Sequence, residues 1–441
     1  VITWQPGYVY PPVFAPPHLP LDLASAVFFA LVAIVAGVLT YRRPALGVGM
    51  LLFCAPFADA HYLFGTSITV PKAALVGFII ALIAHRSSLR ILAEKPTRGL
   101  LLAFGGLLVA IAISALHALH EDVVAREFAK WVEYAVAFGA VAVAFANDPD
   151  DRPIWTALIA IAFVEAGEAF AQLLFGAPAG VFIRGNAVPR VAGSLEGPNQ
   201  FAGWLNVLVP VLFARTLVHR NPWLLAALVL SAVAMAATLS RSGIVAALVA
   251  AGIVVLVTRP SRRDGFRLAI GAVALVGILV IAGLALGLEA RFFSLAEVAQ
   301  PDHLGTRHVL WDAAIALWQT SPLVGIGAGN FEFDLGMVGH PEVQTHANSV
   351  YLQALSEMGV IGLAATLFFI WQSIATFATT FSRRPLVIGL FAAGVALALH
   401  QVFDYLEFYP KVGVFWAILL GIAVVEVVAS RDDVGPLPEA A

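Results

Sequence analysis

The chain has 441 residues, of which 60% are hydrophobic and only 12% charged, and its formal net charge is −3. Soluble domains carry roughly 25% charged residues, so this composition excludes an ordinary water-soluble enzyme and places most of the chain in lipid. The slightly acidic balance argues against nucleic acid as a partner. The lone Cys54, set in an apolar run, allows neither an intramolecular disulfide nor a thiolate metal cluster.

In chain order, Val1–Asp22 is rich in proline and aromatic residues and has no basic n-region. No cleavable signal peptide is expected there, and without an initiator Met the start reads as trimmed. A membrane helix needs about 20 apolar residues. Such runs lie near 22–40, 45–58, 68–85, 99–117, 129–146, 154–176, 200–218, 222–239, 242–258, 267–288, 348–378, 386–406 and 412–429. The second is short enough to be re-entrant. The expectation is an all-α polytopic membrane protein with about 12–13 transmembrane helices, residues 1–441 forming one integral domain.

Cytoplasmic loops carry an excess of Lys and Arg. With the Arg42-Arg43 turn placed in the cytoplasm and sides alternating from there, most of the 25 Lys and Arg residues fall on that side. They include Arg86, Arg90, Lys95, Arg98, Arg152, Arg220, Arg259, Arg262, Arg263 and Arg384. The C-terminus, Arg431–Ala441, is then cytoplasmic, and the long interval 289–347 faces outward, into a periplasm if the cell has one. Structureless loops of that length are uncommon, so 289–347 is expected to be a folded cap. Gly305–Trp318 reads as its helix, with Leu310, Ala314, Leu317 and Trp318 on one apolar stripe and Trp311 and Trp318 suited to the membrane interface. Pro322 ends it, and Gly325–Phe331 follows as a flexible glycine-rich turn.

Four outward stretches carry polar chemistry. The first is Val188–Ala202, with Arg190 and Asn199. The second is Ser240-Arg241-Ser242-Gly243, at a tight turn between apolar spans. Arg307 on the cap helix is the third, and His346 with Asn348 is the fourth. Guanidinium is planar, always charged and binds phosphate oxygens in bidentate fashion. Three arginines on one face therefore suit an anionic ligand, and the N–H groups of Ser242 and Gly243 at a helix start add anion donors. Arginines at membrane ends also simply contact lipid phosphates, the reading that suits Arg291 best, and a lone histidine at a helix start is often only a hydrogen-bonding residue.

Other polar groups are weaker candidates. His117, His120 and Glu121 have a metal-like spacing without further ligands. Glu165, Glu168 and Gln172 lie inside a span at helical spacing and either line a polar cavity or relay protons. His400, Gln401, Asp404 and Glu407 cluster near an outward helix end. Asp148, Asp150 and Asp151 read as a solvated turn. No outward Asp-x-Asp supports a Mg²⁺-dependent nucleotide-sugar enzyme, and no Walker A run supports ATP-driven transport.

At these residues the second half of the chain resembles the O-antigen ligase and O-antigen polymerase superfamily. The motifs are Arg190 with Gly193 and Pro198–Ala202, Ser240–Gly243, Arg307 with Trp311, Pro322–Phe331, and His346–Gln353 followed by Glu357, Gly359 and Gly362. One departure is Ala347, since the family usually runs His-Asn directly. The resemblance implies inverting, metal-independent transfer of an O-antigen glycan from undecaprenyl pyrophosphate to a sugar hydroxyl of lipid A-core, at the periplasmic face of a bacterial inner membrane, with no cofactor. His346 would be the general base. Arg190, Arg241 and Arg307 would hold the pyrophosphate, with Asn348, Asn199 and Arg291 in support. The alternatives are a polysaccharide polymerase of the same superfamily and a lipid-linked saccharide transporter.

Overall fold

The computed structural model describes residues 19–58, 61–63, 66–176, 190–260, 301–341, 343–378 and 384–432. Arg291 and the apolar run 267–288 lie outside the described residues. The remaining apolar runs all form helices, in the order α1 Leu23–Arg42, α2 Pro44–Cys54, α3 Val70–His85, α4 Lys95–Ser114, α5 Glu121–Asn147, α6 Arg152–Phe175, α7 Pro198–Val218, α8 Pro222–Ala237 and α9 Arg241–Thr258. The cap contributes α10 Pro301–Thr320 and the short α11 Phe331–Asp334, and the chain closes with α12 Val350–Ala378, α13 Pro385–His400 and α14 Pro410–Asp432. Among the described residues, 8 helices are long and apolar enough to cross a membrane, and α2, α3, α8 and α13 are shorter apolar helices. The protein is thus an all-α polytopic membrane protein.

Helix boundaries follow local chemistry. Pro stands at N1 or N2 of α2, α3, α4, α6, α7, α8 and α13, where its missing N–H costs nothing and its fixed φ suits the first turn. Asp22, Thr69 and Asn221 cap α1, α3 and α8 with side-chain oxygens. Three departures from the expected spans have simple causes. The run 45–58 stops as a helix at Cys54 and leads to a small sheet, in which Leu19–Pro20 pairs parallel with His61–Leu63 and the latter antiparallel with Thr66–Ile68. α5 starts at Glu121, because Glu121 and Asp122 complement its positive N-terminal end. α13 ends at His400 instead of 406, where the chain turns through the polar segment 401–409.

α14 lies at the centre of the bundle. Its apolar window is 83% buried, against 22% for α1, so α1 presents its apolar surface to lipid while α14 is surrounded by protein. Trp204 of α7 stacks on Phe415 of α14 at 4.8 Å, and Phe104, Trp131 and Phe369 tie α4, α5 and α12 together.

The two ends of the bundle differ in chemistry. At one end Arg43 bridges Asp148 and Asp150 at 3.1 and 2.9 Å, Arg215 pairs with Asp151 at 3.2 Å and stacks over Trp155, and Arg384 pairs with Glu426. The Asp148–Asp151 turn is therefore an ion-paired joint between α2, α5 and α7, not merely a solvated turn. His117, Arg190, Arg241, the cap and His346 all lie at the opposite end.

The cap has its own small core. Leu310, Ala313, Ala314 and Leu317 of α10 pack on Ile326, Phe331, Leu335, Val343 and Ala347. Trp311 leans on Phe403, and the Trp318 indole N–H donates to Pro322 O at 3.1 Å. The stretch 325–331, expected to be flexible, is fastened by backbone pairing. Ile326 N donates to Ser356 O, Gly327 N to Glu357 O, and Val360 N to Pro322 O. For that to happen α12 breaks at Gly359, whose φ of 65° and ψ of −163° release helical carbonyls to the incoming strand-like segment. Gly359 and Gly325 are both at positive φ, and a Cβ on either would come within 2.3 Å of the other segment's backbone. The glycines here serve close approach, not mobility.

Candidate functional site

The site is assembled around the turn that joins α8 to α9. Leu239 adopts a left-handed conformation (φ 53°), which turns the chain sharply and leaves Ser240 before the first residue of α9. Arg241 is that first residue and is exposed. Arg190 reaches the same turn from the segment before α7. Its Nε donates to Thr238 O at 2.7 Å and its Nη2 to Asn199 Oδ1 at 3.0 Å. Two of the three expected arginines thus flank one four-residue turn, and Asn199 holds one of them.

The segment carrying Arg190 is fastened by the intramembrane polar residues of α6. Gln172 Oε1 accepts from Ala192 N and Gly193 N at 2.8 and 3.1 Å, and its Nε2 donates to Gly193 O at 2.7 Å. Glu165 accepts from the N–H and the hydroxyl of Ser194 at 3.0 and 2.6 Å. Lys411 of α14 closes the same segment by donating to Ser194 O, with Glu196 at 3.7 Å. Glu165 and Gln172 thus anchor residues 192–194 to α6. Gln172→Ala should orphan three buried backbone groups, each at a cost of about 1–3 kcal/mol. The expected outcome is a lower melting temperature, measured on purified protein.

His346 approaches from the cap. It precedes α12, whose first residue Val350 donates to Gln401 O and Asp404 O, so the histidine is set against the segment 401–409. Asn348 N–H donates to His346 Nδ1 at 3.2 Å, and Nε2 lies 3.2 Å from Tyr409 Oη. Tyr405 and Tyr409 meet the imidazole edge-on, each with ring centroids 6.1 Å away. Asn348 is itself at φ 50°, a conformation that asparagine tolerates better than most residues. It is the backbone N–H of Asn348 that meets the ring. The additional residue Ala347 is accommodated because it is buried in the cap core, with its N–H donated to Gln353 Oε1 at 2.6 Å. Gln353 in turn donates to Glu357, which also accepts from Phe331 N, so one polar pair on α12 positions both the histidine loop and the glycine segment.

Arg307 and Asp404 set the electrostatics. Burial pushes the His346 imidazole below its ordinary value, the negative Asp404 opposes this, and the positive Arg307 adds to it. Asp404 is buried, with Oδ1 accepting from Tyr405 N and Oδ2 buried without a hydrogen bond. The same two charges also act on His400. His400 is hydrogen-bonded to Asn206 at 3.1 Å and abuts Gly243, where a Cβ would lie 3.2 Å from its ring. Asp404 and Arg307 thus act on both histidines, and His400 in turn meets the Arg241 turn at Gly243.

The remaining candidates fall elsewhere. His117 Nδ1 bonds Ser321 Oγ at 2.7 Å, while the His120 backbone brackets Asn330 and its ring lies on Phe333. Both anchor the cap on α4 and α5. No group of three or more metal-ligating side chains is found among the described residues. Tyr409, Lys411 and Gln172 are structural members of the site that sequence reasoning did not place in it. The signals were the position of Tyr409 and Lys411 beside an outward helix end and that of Gln172 inside an apolar span.

Residues 226–367 match a family model described as O-antigen ligase. The match spans α8 to the middle of α12 and so contains Arg241, Arg307, His346 and Gly359, while Arg190 and Tyr409 lie outside it. No curated protein matches the chain.

Proposed function

We infer that the chain is a member of the O-antigen ligase superfamily, whose model its residues 226–367 match. It transfers an O-antigen glycan from undecaprenyl pyrophosphate to a sugar hydroxyl of lipid A-core, with inversion at the anomeric carbon and without a metal ion. The reaction takes place at the periplasmic face of a bacterial inner membrane, with the Arg43, Arg215 and Arg384 end, and the C-terminus, in the cytoplasm.

The observation that supports this reading best is that Asp404 and Arg307 act on both His346 and His400, and that His400 meets the Arg241 turn at Gly243. A proton acceptor and three arginines occupy one end of the bundle. His346 takes the proton of the acceptor hydroxyl, whose oxygen attacks the anomeric carbon. The bond from that carbon to the pyrophosphate oxygen breaks, and its electron pair stays on the leaving group. Arg190, Arg241 and Arg307 stabilise the charge that grows there. Arg190 is held by Thr238 and Asn199, so it needs no reorganisation as that charge develops.

The test is purified protein in liposomes with a lipid-linked donor, with and without lipid A-core. Glycan attached to lipid A-core is the expected product. A lengthened lipid-linked chain instead would make the protein a polymerase, and movement across the bilayer without a new bond would make it a transporter. Arg307→Ala is expected to cost about 10²–10³-fold in turnover, the effect of losing one charge-stabilising donor. Arg307→Lys should recover only part of it, because an ammonium cannot reproduce a bidentate contact. Unchanged turnover in Arg307→Ala would remove Arg307 from the leaving-group site.

A further inference from the structure

His346 has two nitrogens, and the structure assigns them different partners. A backbone N–H can only donate, so the contact from Asn348 N requires a lone pair on His346 Nδ1. The neutral ring then carries its proton on Nε2, which faces Tyr409 Oη at 3.2 Å. The Gln200 side chain of α7 also lies beside Tyr409, and two residues further on Lys411 anchors the Arg190 segment. Tyr409 thus stands where the histidine loop, α7 and the arginine segment meet.

We propose that Tyr409 is a positioning residue for the transfer reaction: by accepting from His346 Nε2–H it fixes the tautomer whose basic lone pair is Nδ1. The Asn348 N–H caps that lone pair in the unloaded site, and the acceptor hydroxyl takes its place. The proton leaves the hydroxyl oxygen for Nδ1 as that oxygen bonds to the anomeric carbon. The product imidazolium carries both protons, with Nε2–H still held by Tyr409. This assignment rests on His346 being the base, and it adds which nitrogen acts and which residue selects it.

Two measurements test it on the full chain in lipid nanodiscs. The first is the ¹⁵N spectrum of histidine-labelled wild-type protein, with His346→Gln used to assign the signal. A proton on Nε2 is expected, and a proton on Nδ1 overturns the proposal whatever the variants do. The second is Tyr409→Phe, with kcat followed against pH. The groups facing the ring are Arg307 of α10 and Asp404, Tyr405 and Tyr409 of the 401–409 segment. Only the last is altered.

A base works when unprotonated, so rate rises with pH through its pKa. Losing the acceptor of Nε2–H disfavours the imidazolium. The acid limb of Tyr409→Phe should therefore move to lower pH, while kcat falls at least about ten-fold and the donor KM stays near that of the wild type. A purely structural role would reduce the yield of folded protein without moving the limb. Wild-type kcat with an unshifted limb overturns the proposal. Should His346→Ala retain activity, the base assignment itself fails. An inactive His346→Ala beside a wild-type-like Tyr409→Phe defeats only the role of Tyr409.

Discussion

His346→Ala is expected to lower glycan transfer by about 10²–10⁴-fold, the range over which a positioned proton acceptor acts, with folded yield and melting temperature close to wild type. The side chain is half-buried and meets Asn348 N, Tyr405 and Tyr409. Its removal therefore leaves the Ala347–Gln353 and Gln353–Glu357 hydrogen bonds that hold the loop. The same assay run with EDTA should show undiminished transfer by the wild type, since the proposed reaction uses guanidinium charge where a cation would otherwise act. The pH profile gives a further check. Burial and Arg307 depress the imidazole pKa, and Asp404 only partly opposes them. The ring is then neutral, and active as a base, to pH values below the ordinary histidine range near 6.5. The acid limb of kcat/KM should lie below that range. A limb at higher pH would mean that a different group titrates.

The second large effect is structural. Gly359→Ala is expected to destabilise the protein by several kcal/mol and to lose activity with the fold. The conformation at Gly359 (φ 65°, ψ −163°) is open essentially to glycine alone, and a side chain held there costs about 1–3 kcal/mol. The added Cβ would also lie 2.3 Å from the carbonyl carbon and oxygen of Leu323, so the segment 322–327 would have to separate from α12. That separation orphans Ile326 N, Gly327 N and Val360 N. Thermal unfolding of the purified variant measures it. A melting temperature within a degree or two of wild type would show that the kink relaxes into a continuous helix without loss. Gly325→Ala, which meets Glu357 from the opposite side, should behave alike.

Much of the architecture was legible because membrane helices are written in composition. Long apolar runs bounded by proline and basic residues predicted α3, α6, α7, α9 and α14 to within a few residues. The stripe Leu310, Ala314 and Leu317 predicted which face of α10 is buried. Arg190, Arg241 and His346 were visible because a charged or polar residue at the end of an apolar span is costly and calls for a reason. The pairing of these residues was not visible. Glu165 and Gln172 gave no sign that they fasten residues 192–194, because that contact depends on how α6 packs beside α7. Tyr409 reads as one more aromatic at a helix end until the cap brings His346 to it. The glycine-rich run 325–329 gave the opposite impression from its role. Glycine signals freedom only when nothing pairs with the backbone it exposes, and here the partner carbonyls are supplied by residues 356 and 357.

The break in α12 also acts as a ruler. Val360–Ala378 alone extends about 28 Å at the helical rise, close to the roughly 30 Å hydrocarbon thickness of a bilayer. Val350–Met358 is then surplus to the crossing and raises the preceding His346 by at most about 13 Å. That is enough to clear one headgroup layer, which is about half of the roughly 10–15 Å by which a full bilayer exceeds its hydrocarbon core. Both substrates in the proposed reaction are tethered by lipid, one through its pyrophosphate and one through its acyl chains. A reactive centre at this elevation lets each stay anchored in the membrane while only its sugars rise to meet the other, so the encounter is a search in two dimensions at a fixed height.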